Sequence, residues 1–199
     1  MPNWCDQEVY IHGETSMVTH LYWELKERKR FCDVVCPIPL EVIGQPYDGK
    51  GTSPQWDWRC NKWNTKWEVQ DILIKEELVN GDDHYPIPTS YFRFVCKTAW
   101  DAPIPVWEKL HRLGIEVQAE YEVEGCDIVG EFALGEHHCR ELTDEEIKER
   151  EKKWMKDSLE IVPCTNGVGV WEVISDWNGA EVFDTREEAE KRLKELQDA

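Results

Sequence analysis

His137-His138-Cys139 places three metal-ligating side chains side by side, and Cys126 or Cys164 would complete a set. Zinc accepts imidazole and thiolate, but ribbons and fingers space their ligands in pairs, so a row of adjacent ligands reads first as polar side chains facing solvent. Cys32 and Cys36 lie too far apart for a redox dithiol, and no Lys or Arg is placed beside them to lower a thiol pKa. Ser16, Ser53, Ser90, Ser158 and Ser175 sit in no nucleophile elbow. Gly49-Lys50-Gly51-Thr52 falls in a loop without the adjoining strand and helix that a phosphate cradle needs. Glu122 and Asp127, near Cys126, are the carboxylates that acid/base chemistry would use. These residues lean away from an enzyme, and no cofactor is expected.

A row of acids is the stronger lead. Residues 115–124 alternate, with Val117, Ala119, Tyr121 and Val123 on one side and Glu116, Gln118, Glu120, Glu122 and Glu124 on the other. No Lys or Arg occurs from Glu116 through Cys139, and Glu131 and Glu136 follow on the hairpin partner. Like charges on neighbouring strand positions destabilise by roughly a few tenths of a kcal/mol each, so a strand selected only for solubility should mix its signs. Across the 199 residues, 23 Lys and Arg stand against 41 Asp and Glu, a net charge of −18. That field repels nucleic acid and anionic membranes and steers basic proteins inward. Trp4 and Tyr10 share a parity and are the residues that would stack a base if nucleic acid bound. The expected acidic interaction face is therefore Glu116, Glu120, Glu122, Glu124, Glu131 and Glu136, with a basic protein as its partner.

The elements that hold these residues follow from periodicity. Residues 3–12 alternate as a first strand, and Thr15 or Ser16 caps a helix carrying Met17, Val18, Leu21, Tyr22 and Leu25. Its basic end, Lys26 to Arg30, suits a helix C-terminus. Phe31 to Val35 reads as a second strand and residues 44–54 as a surface loop. Trp56, Trp58, Trp63 and Trp67 must then dock onto a core, since each buried ring removes about 150 to 250 Å² from water. Strands over 71–79 and 91–98 flank the turn Asn80-Gly81-Asp82-Asp83, with Phe92, Phe94, Cys96, Thr98 and Trp100 on one face. A helix from Pro103 to Gly114 precedes the acidic strand, and residues 127–134 pair with it, placing Ile128, Phe132 and Leu134 on one face.

Helices interrupting antiparallel strands imply an α+β fold with the helices on one face of the sheet. Residues 1–140 form this domain. Thr143 and Glu146 cap a charged connector helix within 141–160, and residues 161–199 form a small ββα appendage: a hairpin around Asp176-Trp177-Asn178-Gly179, then a helix starting at Asp184 or Thr185. No apolar run is long enough to span a bilayer and no signal segment precedes the first strand, so a cytoplasmic chain with its eight cysteines reduced is expected.

Several separated motifs add a resemblance. Met1-Pro2-Asn3-Trp4-Cys5, the residues Cys60, Trp63, Thr65, Lys66 and Trp67, then Thr98-Ala99-Trp100 with Pro103-Ile104-Pro105, and Gly125-Cys126-Asp127 occur in order over about the first 140 residues. In these the chain resembles the YubB-type ferredoxin-like family of uncharacterised phage and plasmid proteins. It departs at Lys62 and Asn64, where that family has Asn and Gly. The resemblance implies a ferredoxin-like sheet and a home on a mobile element, and no activity. The function expected is thus that of a non-enzymatic phage or plasmid protein which binds and inhibits a basic host protein of defence or nucleic-acid processing, with imitation of nucleic-acid charge as one route to it. The alternatives are an enzyme or ligand- or metal-binding protein of unknown reaction, and a single-stranded nucleic-acid binder.

Overall fold

The alternation read in the first strand is realised as β1 (Trp4–Glu14), whose odd positions Cys5, Gln7, Val9 and Ile11 are buried while the even ones meet solvent. The computed structural model describes residues 3–47, 49–81, 88–157, 160–163, 171–175, 179–183 and 185–198. Cys164, the turn residues Asp82, Asp83, Asp176, Trp177 and Asn178, the cap candidate Asp184, Ser158, and Met1-Pro2 lie outside the described residues. The chain divides into two compact units, Met1–Glu141 and Leu142–Ala199.

In the first unit the chain continues through α1 (Thr15–Arg28), α2 (Cys32–Val35), α3 (Leu40–Ile43), α4 (Pro54–Trp63), β2 (Gln70–Asn80), β3 (Thr89–Ala99), α5 (Ile104–Arg112), β4 (Glu116–Val123), β5 (Ile128–Ala133) and β6 (Glu136–Glu141). The six strands form one antiparallel sheet in the order β2-β3-β1-β4-β5-β6. The α+β class stands. The six-strand order does not fit the four-stranded ferredoxin-like pattern, because a β5–β6 hairpin is added beyond β4. α1 packs on β1, β2 and β3, and α5 on β4. Between helices and sheet lie Val18, Leu25, Phe31, Phe92, Phe94, Trp107 and Leu110, all essentially without exposed surface.

Several features differ from the sequence reading: Thr15 and Ser16, expected to cap α1, lie inside it, and its N-cap Glu14 makes no side-chain cap bond. Phe31 to Val35 is not a strand: residues 32–35 are the helix α2, whose first N–H groups, on Cys32 and Asp33, donate to the Glu68 carboxylate at 2.8 and 2.9 Å. An anion on a helix N-terminus stabilises it, and this one arrives from 36 residues away. Trp100 leaves the Phe92 face: its φ of +85° ends the strand and leaves the ring 42% exposed. Leu134, at φ +54°, lies in the β5–β6 turn and is exposed. β6 itself was not expected, since none of its six residues is buried.

The second unit comprises α6 (Asp144–Asp157), β7 (Glu160–Pro163), β8 (Trp171–Ser175), β9 (Gly179–Phe183) and α7 (Arg186–Asp198). The capping box at α6 is present, with the Thr143 N–H donating to Glu146 Oε2 at 2.8 Å and the Glu146 N–H to Thr143 Oγ1 at 3.3 Å. Thr185 caps α7 by accepting from the Glu188 N–H at 3.3 Å. The expected ββα appendage carries a third strand, β7, paired antiparallel with β8.

Candidate functional site

Even positions of β1 and their neighbours on β3, β4, β5 and β6 make the sheet face that no helix of the first unit covers. Pairing aligns them in rows. One row runs Lys97, Asp6, Glu122, Val129, Arg140, and the next Val95, Glu8, Glu120, Glu131, His138. A groove of about 770 Å³ lies over both rows. A second hollow of about 560 Å³, lined by Tyr10, Arg93 and Gln118 among others, shares Glu8, Glu120 and Glu131 with it.

Charge is handled unevenly along these rows. Lys97 Nζ meets Asp6 Oδ1 at 3.2 Å, and Arg93 holds Glu8 at 2.6 Å and Glu76 at 3.6 Å. At β4 and β5, Glu120 stands across from Glu131 and also across from Glu8. Among the described residues no Lys, Arg or His pairs with Glu120 or Glu131.

Of the six acids singled out in the sequence, the structure therefore brings Glu120, Glu122 and Glu131 into one groove. Glu116 is engaged elsewhere, with His12 Nδ1 at 3.2 Å and the Gln118 amide at 2.7 Å. Glu124 follows the end of β4, where its N–H donates to the Trp4 carbonyl at 2.7 Å. Glu136 lies on the same face of β6 as His138, 3.6 Å away. Sequence reasoning missed Asp6, Glu8, Arg93, Lys97 and Arg140. The parity of β1 exposed the first two, but their place beside β4 is a matter of strand order.

Tyr10 packs against Tyr91, with ring centroids 5.6 Å apart, and stacks on His12. Burial, with help from the Glu116 charge, raises the Tyr10 pKa. These rings and Trp4 would offer stacking surfaces, but Asp6 and Glu8 stand between them on β1. Carboxylates in that position oppose a phosphate backbone.

The metal candidates separate. Strand alternation puts His137 and Cys139 on the helix-facing side and His138 on the groove side, so the three cannot share an ion. Tyr121, which is 6% exposed, bonds His137 Nε2 through its hydroxyl at 2.7 Å. Burial, first of all, holds the Tyr121 pKa far above the ordinary phenol value. Among the described residues no three His, Cys, Asp or Glu side chains converge as a metal site. Cys126 is exposed and accepts a contact from Asn3 Nδ2 at 3.4 Å.

The other candidates are absorbed by structure. Ser16 bonds Glu14, Ser53 caps α4, and Ser90 is buried against Thr15 and Asn80. Thr52 of the glycine-containing loop bonds Asp57 at 2.5 Å. Lys26 pairs with Glu77 at 2.9 Å, Arg28 with Glu24 at 2.8 Å, and Arg30 with Asp33, so the basic run is met by the chain's own acids. The seven described cysteines are all free thiols, and burial pushes Cys5 up to about 12.

The motif residues of the resemblance meet at one end of the sheet. The Thr65 hydroxyl donates to the Ala99 carbonyl at 3.0 Å and accepts the Ala99 N–H at 3.1 Å. The Asn64 amide donates to Asp101 and to the Ala102 carbonyl, both at 3.1 Å, while its own φ of +63° occupies the left-handed region that Asn tolerates. The Trp100 N–H donates to the Asn3 carbonyl at 2.8 Å, Lys66 Nζ sits 3.4 Å above the Trp100 ring, and Trp4 packs on Trp67. Trp63, buried, donates to the Cys36 carbonyl at 2.7 Å. These residues latch the segment after α4 onto the ends of β1 and β3, which is a structural role. Among the described residues no helix is long and apolar enough to cross a membrane. No protein-family model matches this chain, and neither the curated proteins nor the solved structures offer a match, so what can be said of its function comes from this geometry.

Proposed function

We propose that this chain is a non-enzymatic interaction protein whose open sheet face receives a basic segment of a protein partner. The Glu120–Glu131 pair supports this reading most: two carboxylates face each other across adjacent strands, in a groove of about 770 Å³, with no cation paired to them among the described residues. Placing like charges opposite one another costs roughly 0.2 to 1 kcal/mol. A Lys or Arg from a partner would turn that cost into charge-assisted hydrogen bonds. In this reading β2-β3-β1-β4 is a ferredoxin-like core and the β5–β6 hairpin widens its open face. Following the resemblance to phage and plasmid proteins, the partner is a basic host protein of defence or nucleic-acid processing, inhibited when its basic surface is occupied.

The test is a pull-down from bacterial lysate with the tagged full chain, eluted by rising salt. The expected result is one basic protein, released as salt increases, whose own activity falls when this chain is added. It should no longer be retained by the Glu120→Gln/Glu131→Gln variant. Equal retention by the double variant at low salt would clear the groove of any role.

A further inference from the structure

β6 is the outer edge of the sheet, and all six of its residues are exposed. Leu134 (φ +54°) and Gly135 (φ +80°) make a two-residue turn whose closing residues, Ala133 and Glu136, pair directly. In such a hairpin the closing pair exchanges both backbone hydrogen bonds, and bonded and non-bonded pairs alternate from there. Glu136, His138 and Arg140 therefore aim their N–H and C=O groups at β5, while His137, Cys139 and Glu141 aim theirs outward.

A second copy adding to this edge antiparallel must set outward residues against outward residues. A two-fold axis at His138 does this. It places His137 opposite Cys139 of the second copy, and the reverse, and sets Glu136 opposite Arg140 twice. An axis at Cys139 would instead oppose Glu136 to Leu142 and forgo both Glu–Arg pairs. In the His138 register one sheet face gathers two imidazoles and two thiols, a donor set that zinc takes tetrahedrally.

Each copy is already arranged for it. The Tyr121 hydroxyl bonds His137 Nε2 at 2.7 Å, and the Tyr121 and His137 rings stack with centroids 5.8 Å apart. Holding Nε2 orients the imidazole and leaves Nδ1 to ligate, which is what an outer partner of a metal-bound histidine does. One copy supplies two ligands and no more among the described residues, so the site is incomplete without the second.

We propose that two copies of this chain join their β6 edges about an axis at His138 and bind one zinc ion through His137 and Cys139 of each. Two thiol protons pass to solvent as the two Zn–S bonds form. This inference is independent of the groove.

The experiment uses the full chain, reduced and stripped of metal, in sedimentation velocity with added Zn²⁺, and in absorption spectroscopy with Co²⁺ as the probe. Expected are a metal-free monomer, a dimer saturating at one zinc per two chains, and a Co²⁺ spectrum with thiolate charge transfer and intense tetrahedral bands. Cys139→Ser and His137→Ala, both at exposed positions, should keep the circular dichroism spectrum and lose dimer and bands together. His138→Ala, on the other face, should keep both. Tyr121→Phe should weaken zinc by about 10- to 100-fold. Arg140→Glu should weaken the dimer, and adding Glu136→Arg should restore it. A monomer at saturating zinc, one zinc per chain, a dimer indifferent to Cys139→Ser, or a disulfide-linked dimer would each overturn the proposal.

Discussion

The two halves of the open sheet face treat charge in opposite ways. On β1 and β3, Asp6 has Lys97, and Glu8 has Arg93, which also reaches Glu76. On β4 and β5, Glu120 faces Glu131 with no cation among the described residues, and the strand beyond, β6, buries none of its side chains. The helices repeat the asymmetry: α1 spans β1, β2 and β3, while α5 packs on β4. A half that satisfies its own charges and covers its own strands has little left to offer a partner. A half that leaves paired acids and an open edge holds groups that only something outside can satisfy, and both the acidic groove and the β6 edge fall there.

If β4–β6 is the less supported half, its attachment should rest on few side chains. Trp107 of α5 is fully buried and touches both Tyr121 of β4 and Phe132 of β5, with centroids 6.4 and 5.7 Å away. Trp107→Ala is expected to lower stability by about 3–5 kcal/mol in denaturant titration, with hydrogen-exchange protection lost first in β5 and β6. Uniform loss across all six strands would mean the halves fold as one unit. Next in size is Gly130→Ala. A Cβ on Gly130 would overlap the Tyr121 ring, which the bond to His137 holds in place. Overpacking of that kind costs roughly 1–3 kcal/mol, and a melting temperature equal to wild type would show that the ring can move aside.

The β1–β3 half has its own signature, which is alkaline. Burial pushes Cys5 from an ordinary 9.0 to about 12, and Cys32 and Cys96 are raised by burial as well. Groups whose folded pKa is raised stabilise fully below the unfolded value, and that stability is lost as pH rises through the folded one. Stability in reductant should thus be flat to about pH 9 and decline above it, and Cys5→Ala should flatten the decline. A decline that Cys5→Ala does not change would assign alkaline sensitivity to other groups.

How much of this was legible in the sequence follows the range of the forces involved. The buried positions of β1 and β4 and the apolar stripe of α5 were readable, because side-chain alternation is local. So were the capping residues Thr143 and Thr185. β6 was not, because an edge strand with both faces exposed needs no apolar alternation, and Glu136-His137-His138-Cys139-Arg140-Glu141 has none. α2 was misread because Glu68, which caps it, lies far along the chain. Glu116 to Glu124 and Glu131 were visible as acids, but the row Glu8-Glu120-Glu131 exists only because β1 lies between β3 and β4. Strand order also decided which acids are neutralised, since Arg93 and Lys97 come from β3.

The smallest effects test the comparison most directly, because they should differ in sign. Glu120→Gln removes one charge of a like-charged cross-strand pair that has no cation among the described residues, and should raise stability by about 0.2 to 1 kcal/mol. Arg93→Gln strips the cation from Glu8 and Glu76 in a half-exposed setting and should lower stability by about 0.2 to 1 kcal/mol. Both shifts should shrink in high salt, because screening acts on exposed charges. Paired melts at low and high salt would read them against each other. If Glu120→Gln were also destabilising, the carboxylate would have a partner within the chain, and the two halves of the face would no longer differ in the way that makes one of them available.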